Sequence, residues 1–401
     1  MTVLHAYVGR QAIFDRDLKV VAYELLYRNS EENRARFDNP DQASAATMFN
    51  AYIELGLDRL AGALPVFVNL SNAFLVGEYD IPLPPERTVL EVLEDVPVTP
   101  QLIAQLQKFR AHGYRIALDD FVLNDQTRAL VPLADIIKID VLNVAPDEVR
   151  RQYNELRPIA RTLLAEKIST HEEMEMLHGL GFELFQGHFL QLPIVSRTER
   201  MPHNRAALMQ LLAKLYDPRH DVRQVEKLIS AEIGLATRLF KLASSAAMSR
   251  GAPISTVKDA IARVGTQQVA ALTMLAIVAN YDDKPIELAR DALVRARMCE
   301  VLARSTNQPP DQMFTAGLLS LLDALLDVPL PQILQELPVT NAIHEALSTT
   351  RTTGGRIIEA ARAQGNADFD RVDATGIPAH QVFMAWYDAV RWADELIALL
   401  I

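Results

Sequence analysis

In the first half of the chain, short apolar runs each carry an acid, amide or lysine near their C-terminal end. This pattern restricts the fold more than any other feature. The run at residues 20–26 carries Glu24, 66–70 carries Asn69 and 89–93 carries Glu91. The run at 116–121 carries Asp119 and Asp120, and 136–140 carries Lys138 and Asp140. The last two runs, 163–166 and 184–187, carry Glu166 and Gln186. Between them lie longer stretches with helical spacing, at 41–59, 99–111, 147–156 and 170–180. Strands alternating with helices predict a parallel sheet with helices outside it. Closed into a barrel, such a sheet gathers groups from several strands at its C-terminal rim. Taken singly, a strand-end polar residue reads as a solvent-facing group; the ordered set reads as one ring. Carboxylates converging there without a cation would repel each other and stay partly protonated. Hard oxygen ligands around Mg2+ or Mn2+ resolve that cost.

From about Thr198 onward the strand-like runs disappear and helical periodicity dominates. Examples are 204–216, 222–233, 235–246, 255–264, 266–279, 285–304, 312–326, 330–337, 341–349, 353–364 and 378–400. The expected architecture is an α/β barrel over residues 1–197 followed by an all-α domain over 198–401. The boundary falls in 191–201, which holds Pro193 and a charge cluster. A chain of 401 residues has room for both cores.

The formal net charge is −11. Such a chain is a poor binder of nucleic acid through its overall field, though metal ions can bridge it to a phosphorylated ligand. Cys299 is the only cysteine, so no internal disulfide is possible, and a reducing cytoplasm fits. The N-terminus lacks the apolar stretch of a signal peptide. No window of about 18 apolar residues predicts a membrane span.

The first half resembles the EAL domain, the cyclic di-GMP phosphodiesterase family. Glu24-Leu25-Leu26-Tyr27-Arg28 stands where that family has E-A-L-x-R, and Val68-Asn69-Leu70-Ser71 matches its V-N-x-S strand. Leu90-Glu91-Val92-Leu93-Glu94 matches L-E-x-T-E, Asp119-Asp120-Phe121 matches D-D-F, and Lys138-Ile139-Asp140 matches K-I-D. Ala165-Glu166 opens the A-E-G-V-E-T motif, and Gln186-Gly187 matches the late Q-G. The resemblance implies a TIM-like barrel in which Glu24, Asn69, Glu91 and Asp119 hold one Mg2+ or Mn2+. Asp120 and Asp119 would share a second ion. Lys138 would orient the attacking water or balance its charge, and Glu166 would bind metal or assist the base. Gln11, Arg28, Asp140 and Gln186 would face the ligand, with Arg28 on a phosphate oxygen. The implied chemistry is two-metal hydrolysis to the linear dinucleotide pGpG.

The chain departs from this pattern at identifiable places. Val122-Leu123-Asn124-Asp125-Gln126 replaces the usual Gly-Thr-Gly-Tyr-Ser-Ser loop, which Glu94 would brace. Lys167 replaces a glycine, Ser169 a glutamate and Ala12 a proline. Changes around a metal site cost affinity or activity. The ligand set therefore argues for catalysis, and the loop argues for weak turnover or binding alone. The family's pairing through helices near the D-D-F loop also admits a homodimer.

The second half resembles the HDOD domain, a helical relative of the HD metallohydrolases that lacks their metal ligands. Leu228-Ile229-Ser230, Lys241-Leu242-Ala243-Ser244-Ser245-Ala246, Pro253-Ile254-Ser255-Thr256-Val257, Ala260-Ile261 and Ala316-Gly317-Leu318-Leu319 carry that likeness. His220-Asp221 is an HD dipeptide, but it sits in a turn where Asp221 reads as a helix N-cap. Ser320-Leu321-Leu322-Asp323 stands where a hydrolase would have His-Asp. The expected role of this half is regulation or binding of an unidentified protein partner. The combined expectation is an EAL–HDOD signalling protein that hydrolyses cyclic di-GMP. The alternatives are a catalytically silent sensor and a protein-interaction scaffold.

Overall fold

The computed structural model describes residues 6–29, 56–70, 72–75, 77, 81–189, 225–226, 229–230, 239, 243, 256–266, 269, 273, 285–326, 329–337 and 339–400. The chain divides into two compact units, one of residues 1–190 with 365–369, the other of 191–364 with 370–401. The expected linker at 191–201, the HD dipeptide, the helical stretch at 204–216 and most of those at 41–59, 222–233, 235–246 and 266–279 lie outside the described residues.

The first unit is a closed barrel of eight strands in sequential order. They are β1 (Ala6–Phe14), β2 (Val20–Asn29), β3 (Val66–Leu70), β4 (Thr88–Val92), β5 (Arg115–Leu118), β6 (Ile136–Asp140), β7 (Leu163–Ile168) and β8 (Leu184–Gly187). The run at 6–14 supplies a strand that the polar-ended pattern did not contain. It also corrects the expectation of a wholly parallel sheet, because β1 runs antiparallel to both β2 and β8. The reason is the length of its connection. Asp15 to Lys19 form a tight turn, in which Asp15 Oδ1 accepts from the backbone N–H of Asp17 and Lys19, each at 2.9 Å. A turn this short can only join antiparallel neighbours, since a parallel pair needs a crossover of a dozen or more residues. The remaining neighbours pair in parallel.

Helices cover the outside of the barrel. After the short α1 (Leu57–Ala61) and α2 (Asn72–Leu75), α3 spans Pro100–Ala111. Thr99 caps it, its hydroxyl accepting from the Leu102 N–H at 3.1 Å, and Leu102, Leu106 and Phe109 form its buried stripe. The fourth, α4 (Pro146–Leu156), opens on a proline, which a first helical turn tolerates, and buries Val149, Tyr153 and Leu156. Last comes α5 (His171–Leu180), which has a reciprocal Thr170–Glu173 capping box and stops at left-handed Gly181.

Inside the barrel, the twofold periodicity of a strand decides what lies where. Ile13, Ala22, Phe67, Val89, Ala117, Ile136 and Leu164 form one apolar layer, with Leu184 packed against it. Each strand contributes a side chain, β2 adding Val21 to Ala22, and together they floor the barrel below its rim.

The second unit is helical throughout its described elements. These are α6 (Val257–Val264), α7 (Ile286–Ser305), α8 (Pro310–Leu319), α9 (Leu322–Leu326), α10 (Leu330–Glu336), α11 (Asn341–Ser348), α12 (Thr353–Gly365), α13 (Phe369–Ala374) and α14 (Ala379–Leu400). The stretch expected as one helix at 312–326 is α8 and α9. The break falls at Ser320, whose hydroxyl donates to the Gly317 carbonyl at 2.7 Å while accepting from Arg295 Nη1 at 3.2 Å. That hydroxyl competes with the helical ladder for its carbonyls. Helix α7 packs against both α8 and α14. It meets α8 where Gly317 lies so close to Ala296 that an added Cβ would stand 2.7 Å from the Ala296 Cα. Phe314 of α8 meets Trp392 of α14 edge to face, with ring centroids 6.0 Å apart.

Candidate metal centre

The site follows from the apolar floor by counting. Side chains two residues apart on a strand share a face, so the residue two places beyond each floor position also points inward, one layer nearer the rim. Two beyond Ala22 is Glu24; two beyond Phe67 is Asn69; two beyond Val89 is Glu91. Two beyond Ala117, Ile136, Leu164 and Leu184 are Asp119, Lys138, Glu166 and Gln186. For β1 the count runs backwards because the strand does. Two before Ile13 is Gln11, which pairs with Glu24 in the β1–β2 register.

Lys138 is the hub of this ring. Its side chain is 1% exposed, and its Nζ lies 2.6 Å from Asp119 Oδ1, 2.8 Å from Glu91 Oε1, 3.0 Å from Glu166 Oε2 and 3.3 Å from Glu24 Oε2. Burial alone would depress the lysine pKa, but Glu91, Glu24, Glu166 and Asp119 raise it well above the ordinary value. The ammonium is thus charged at any physiological pH.

One ammonium does not balance four carboxyls, and the acids respond unequally. Burial opposes ionisation of Glu24. The Lys138 charge and hydrogen bonds from Gln186 and Asn69 nevertheless hold it below the usual carboxylate range. Gln186 Nε2 donates to Glu24 Oε2 at 2.7 Å and to Gln11 Oε1 at 3.0 Å, and Asn69 Nδ2 donates to Glu24 Oε1 at 3.1 Å. Glu91, 0% exposed, is raised well above its ordinary value by burial and by the Glu24 charge. Asp119 is also raised, by burial foremost. Burial pushes Glu166 up to about 8. The ring therefore holds protons as well as charge.

These groups fit a divalent cation on their own chemistry. Asn69 Oδ1 and Glu91 Oε2 are buried without a hydrogen-bond partner, an arrangement that costs free energy unless something electropositive meets those oxygens. The donor set is carboxylate and amide oxygen, which suits Mg2+ or Mn2+. Oxygens of Asp119, Asp120 and Glu166 also lie within 4.8 Å of one another.

Asp120, Asp140 and Glu94 fall outside this ring. Asp140 is at the end of β6, where its Oδ1 accepts from the Leu142 N–H at 2.7 Å. Its Oδ2 accepts from Lys167 Nζ at 2.6 Å, and the same ammonium donates to Asp120 Oδ1 at 3.0 Å and Oδ2 at 3.1 Å. Sequence reasoning marked Lys167 as a departure from glycine but not as a site residue. Both Asp120 (φ 41°) and Lys167 (φ 60°) are left-handed, a conformation that costs a non-glycine residue roughly 1–2 kcal/mol. The side chain of Arg28 lies outside the described residues.

Glu94 is exposed and lines a cavity of about 240 Å³ with Phe121, Val122, Asn124 and Thr127. The replacement loop orders itself. Asn124 Oδ1 accepts from the N–H of Gln126 at 2.9 Å and of Thr127 at 3.0 Å, and the Thr127 hydroxyl donates to the Val122 carbonyl at 2.7 Å.

A family model for the HDOD domain matches residues 201–346. The chain is 28% identical over 405 residues to the uncharacterized protein YuxH of Bacillus subtilis strain 168, covering 98% of this chain and 99% of that one. It is also 28% identical over 412 residues to the cyclic di-GMP phosphodiesterase CdgJ of Vibrio cholerae serotype O1, covering 100% of this chain and 95% of the other. Among solved structures, it is similar to the Bacillus subtilis YkuI protein, which has an EAL domain and was captured with cyclic di-GMP and calcium. That match has a TM-score of 0.40 and 21% identity, over 65% of this chain and 73% of the other. No described helix is long and apolar enough to cross a membrane.

Proposed function

We propose that this chain is a divalent-metal-dependent cyclic di-GMP phosphodiesterase that yields pGpG, with an EAL-like domain over residues 1–197 and an HDOD-like domain over 198–401. The second domain would regulate the first or relay its state to a protein partner. The observation that carries this reading is the inward ring on the apolar floor, with buried oxygens that lack partners. The end-to-end similarity to CdgJ supports the substrate.

Glu24, Asn69, Glu91 and Asp119 would hold a Mg2+ or Mn2+ ion, with Asp120 and Glu166 at its flank. When bound, the metal polarises the phosphate and lowers the pKa of a water molecule. Gln186 fixes Glu24 by its hydrogen bond and ties it to Gln11 on the neighbouring strand. Lys138 supplies a permanent positive charge where the reacting phosphate gathers negative charge. Glu166, its carboxyl pushed up to about 8 by burial, would accept a proton from water near that pH.

A second reading, binding without turnover, is favoured by the Lys167 ammonium on Asp120. One assay separates the two. Purified chain with Mn2+ and cyclic di-GMP is expected to release pGpG, and Glu24→Ala is expected to lose at least about 100-fold in rate with its circular dichroism unchanged. Wild-type protein that binds cyclic di-GMP calorimetrically but never releases pGpG would establish the second reading instead. An active Glu24→Ala variant would show that the ring is not the reacting site.

A further inference from the structure

Lys167 occupies a position whose backbone is left-handed, where glycine would be unstrained, yet the chain places a lysine there. The residue lies where the β7–β8 register shifts, between Ala165 and Ile168, and such an irregularity re-aims a side chain. Its ammonium reaches across the rim to both oxygens of Asp120 and to Asp140 Oδ2. Asp120 belongs to the one group of acids among the described residues whose oxygens converge closely enough to share an ion. A positive charge from the chain itself is therefore already seated on the carboxylate that a further ion would need.

We propose that Lys167 is a tethered cation standing in for a second divalent ion beside Asp120, so that the ring loads one ion per chain. This rests on the metal-binding reading given above. The first place remains open to metal, because Asn69 Oδ1 and Glu91 Oε2 have no hydrogen-bond partner and the one ammonium there, that of Lys138, is shared among four carboxyls. At Asp120 the charge balance differs, since one ammonium there faces two carboxylates instead of four. The ammonium hydrogen-bonds both oxygens, and a dication arriving there would meet a fixed positive charge within bonding distance of its own ligand. Lys167 is in this sense a positioning residue that sets metal stoichiometry.

The test is a count of ions on the full-length chain. Metal-stripped protein is titrated with Mn2+ alone, following free Mn2+ by electron paramagnetic resonance and binding by calorimetry. One ion is expected for wild type, one for Lys167→Arg, which keeps the charge, and two for Lys167→Gly, which suits the backbone and removes it. Two ions on wild type would overturn the proposal, as would a single ion on Lys167→Gly. No ion on any of the three would overturn the metal-binding reading itself, and this inference with it. Circular dichroism of each variant verifies that the counts come from folded protein.

Discussion

Glu166 carries a proton that competes with any cation offered to the ring. Burial pushes its carboxyl up to about 8, so it is protonated below that pH and a free carboxylate above it. Mn2+ affinity is therefore expected to climb between about pH 6 and about pH 8, by up to about tenfold per pH unit if one proton must leave, and to level off above. Calorimetric titrations across that range check this, and a flat profile would remove Glu166 as the competing acid. Much of the ring was readable from the residues alone. Ala22-Tyr23-Glu24, Phe67-Val68-Asn69, Val89-Leu90-Glu91 and Ile136-Ile137-Lys138 each spell floor, wall and ring. Gln11-Ala12-Ile13 spells the same triplet in reverse, the trace that an antiparallel strand leaves in a sequence. Lys167 was not readable in this way. Its role depends on a left-handed backbone and on an Asp120 that is distant along the chain, and no short-range pattern encodes either.

At the level of elements, the close approach of β7 and β8 admits a direct test. A Cβ at Gly187 would stand 2.1 Å from the Ile168 carbonyl oxygen, which neither backbone can avoid without parting. Gly187→Ala is expected to lower unfolding free energy by roughly 1–3 kcal/mol or more. A urea midpoint equal to wild type would mean the two strands separate there at no cost. The helices of the barrel were legible because their ends are chemically marked. Thr99 before Pro100, and Thr170 three residues before Glu173, are start signals that local hydrogen bonds then satisfy. The break between α8 and α9 was not legible, since Leu318, Leu319, Leu321 and Leu322 continue an apolar helical run through it. What ends α8 is a serine held by an arginine of another helix, a tertiary contact.

For the molecule as a whole, Cys299 reports on the integrity of the helical unit. It is fully buried on α7, and burial pushes its thiol up to about 12. Native protein is expected to resist a thiol-specific reagent near about pH 8 and to react fully once unfolded in urea. Rapid labelling of the native chain would show that α7 is reachable from solvent. The division into a sheet-bearing part and a helical part followed from a change in periodicity, which survives any local misreading. Closure of the barrel through a reversed first strand did not, because direction depends on the length of a turn. That reversed strand has a further consequence. It joins β2 along its whole length but meets β8 only through Ile13 with Gln186 and Phe14 with Phe185. This joint, as short as the one between β5 and β6, is also where Gln186 clasps Gln11 and Glu24. A chain that has not rolled its sheet shut has no assembled cage for an ion. Assembly of the ring and completed folding are thus one event.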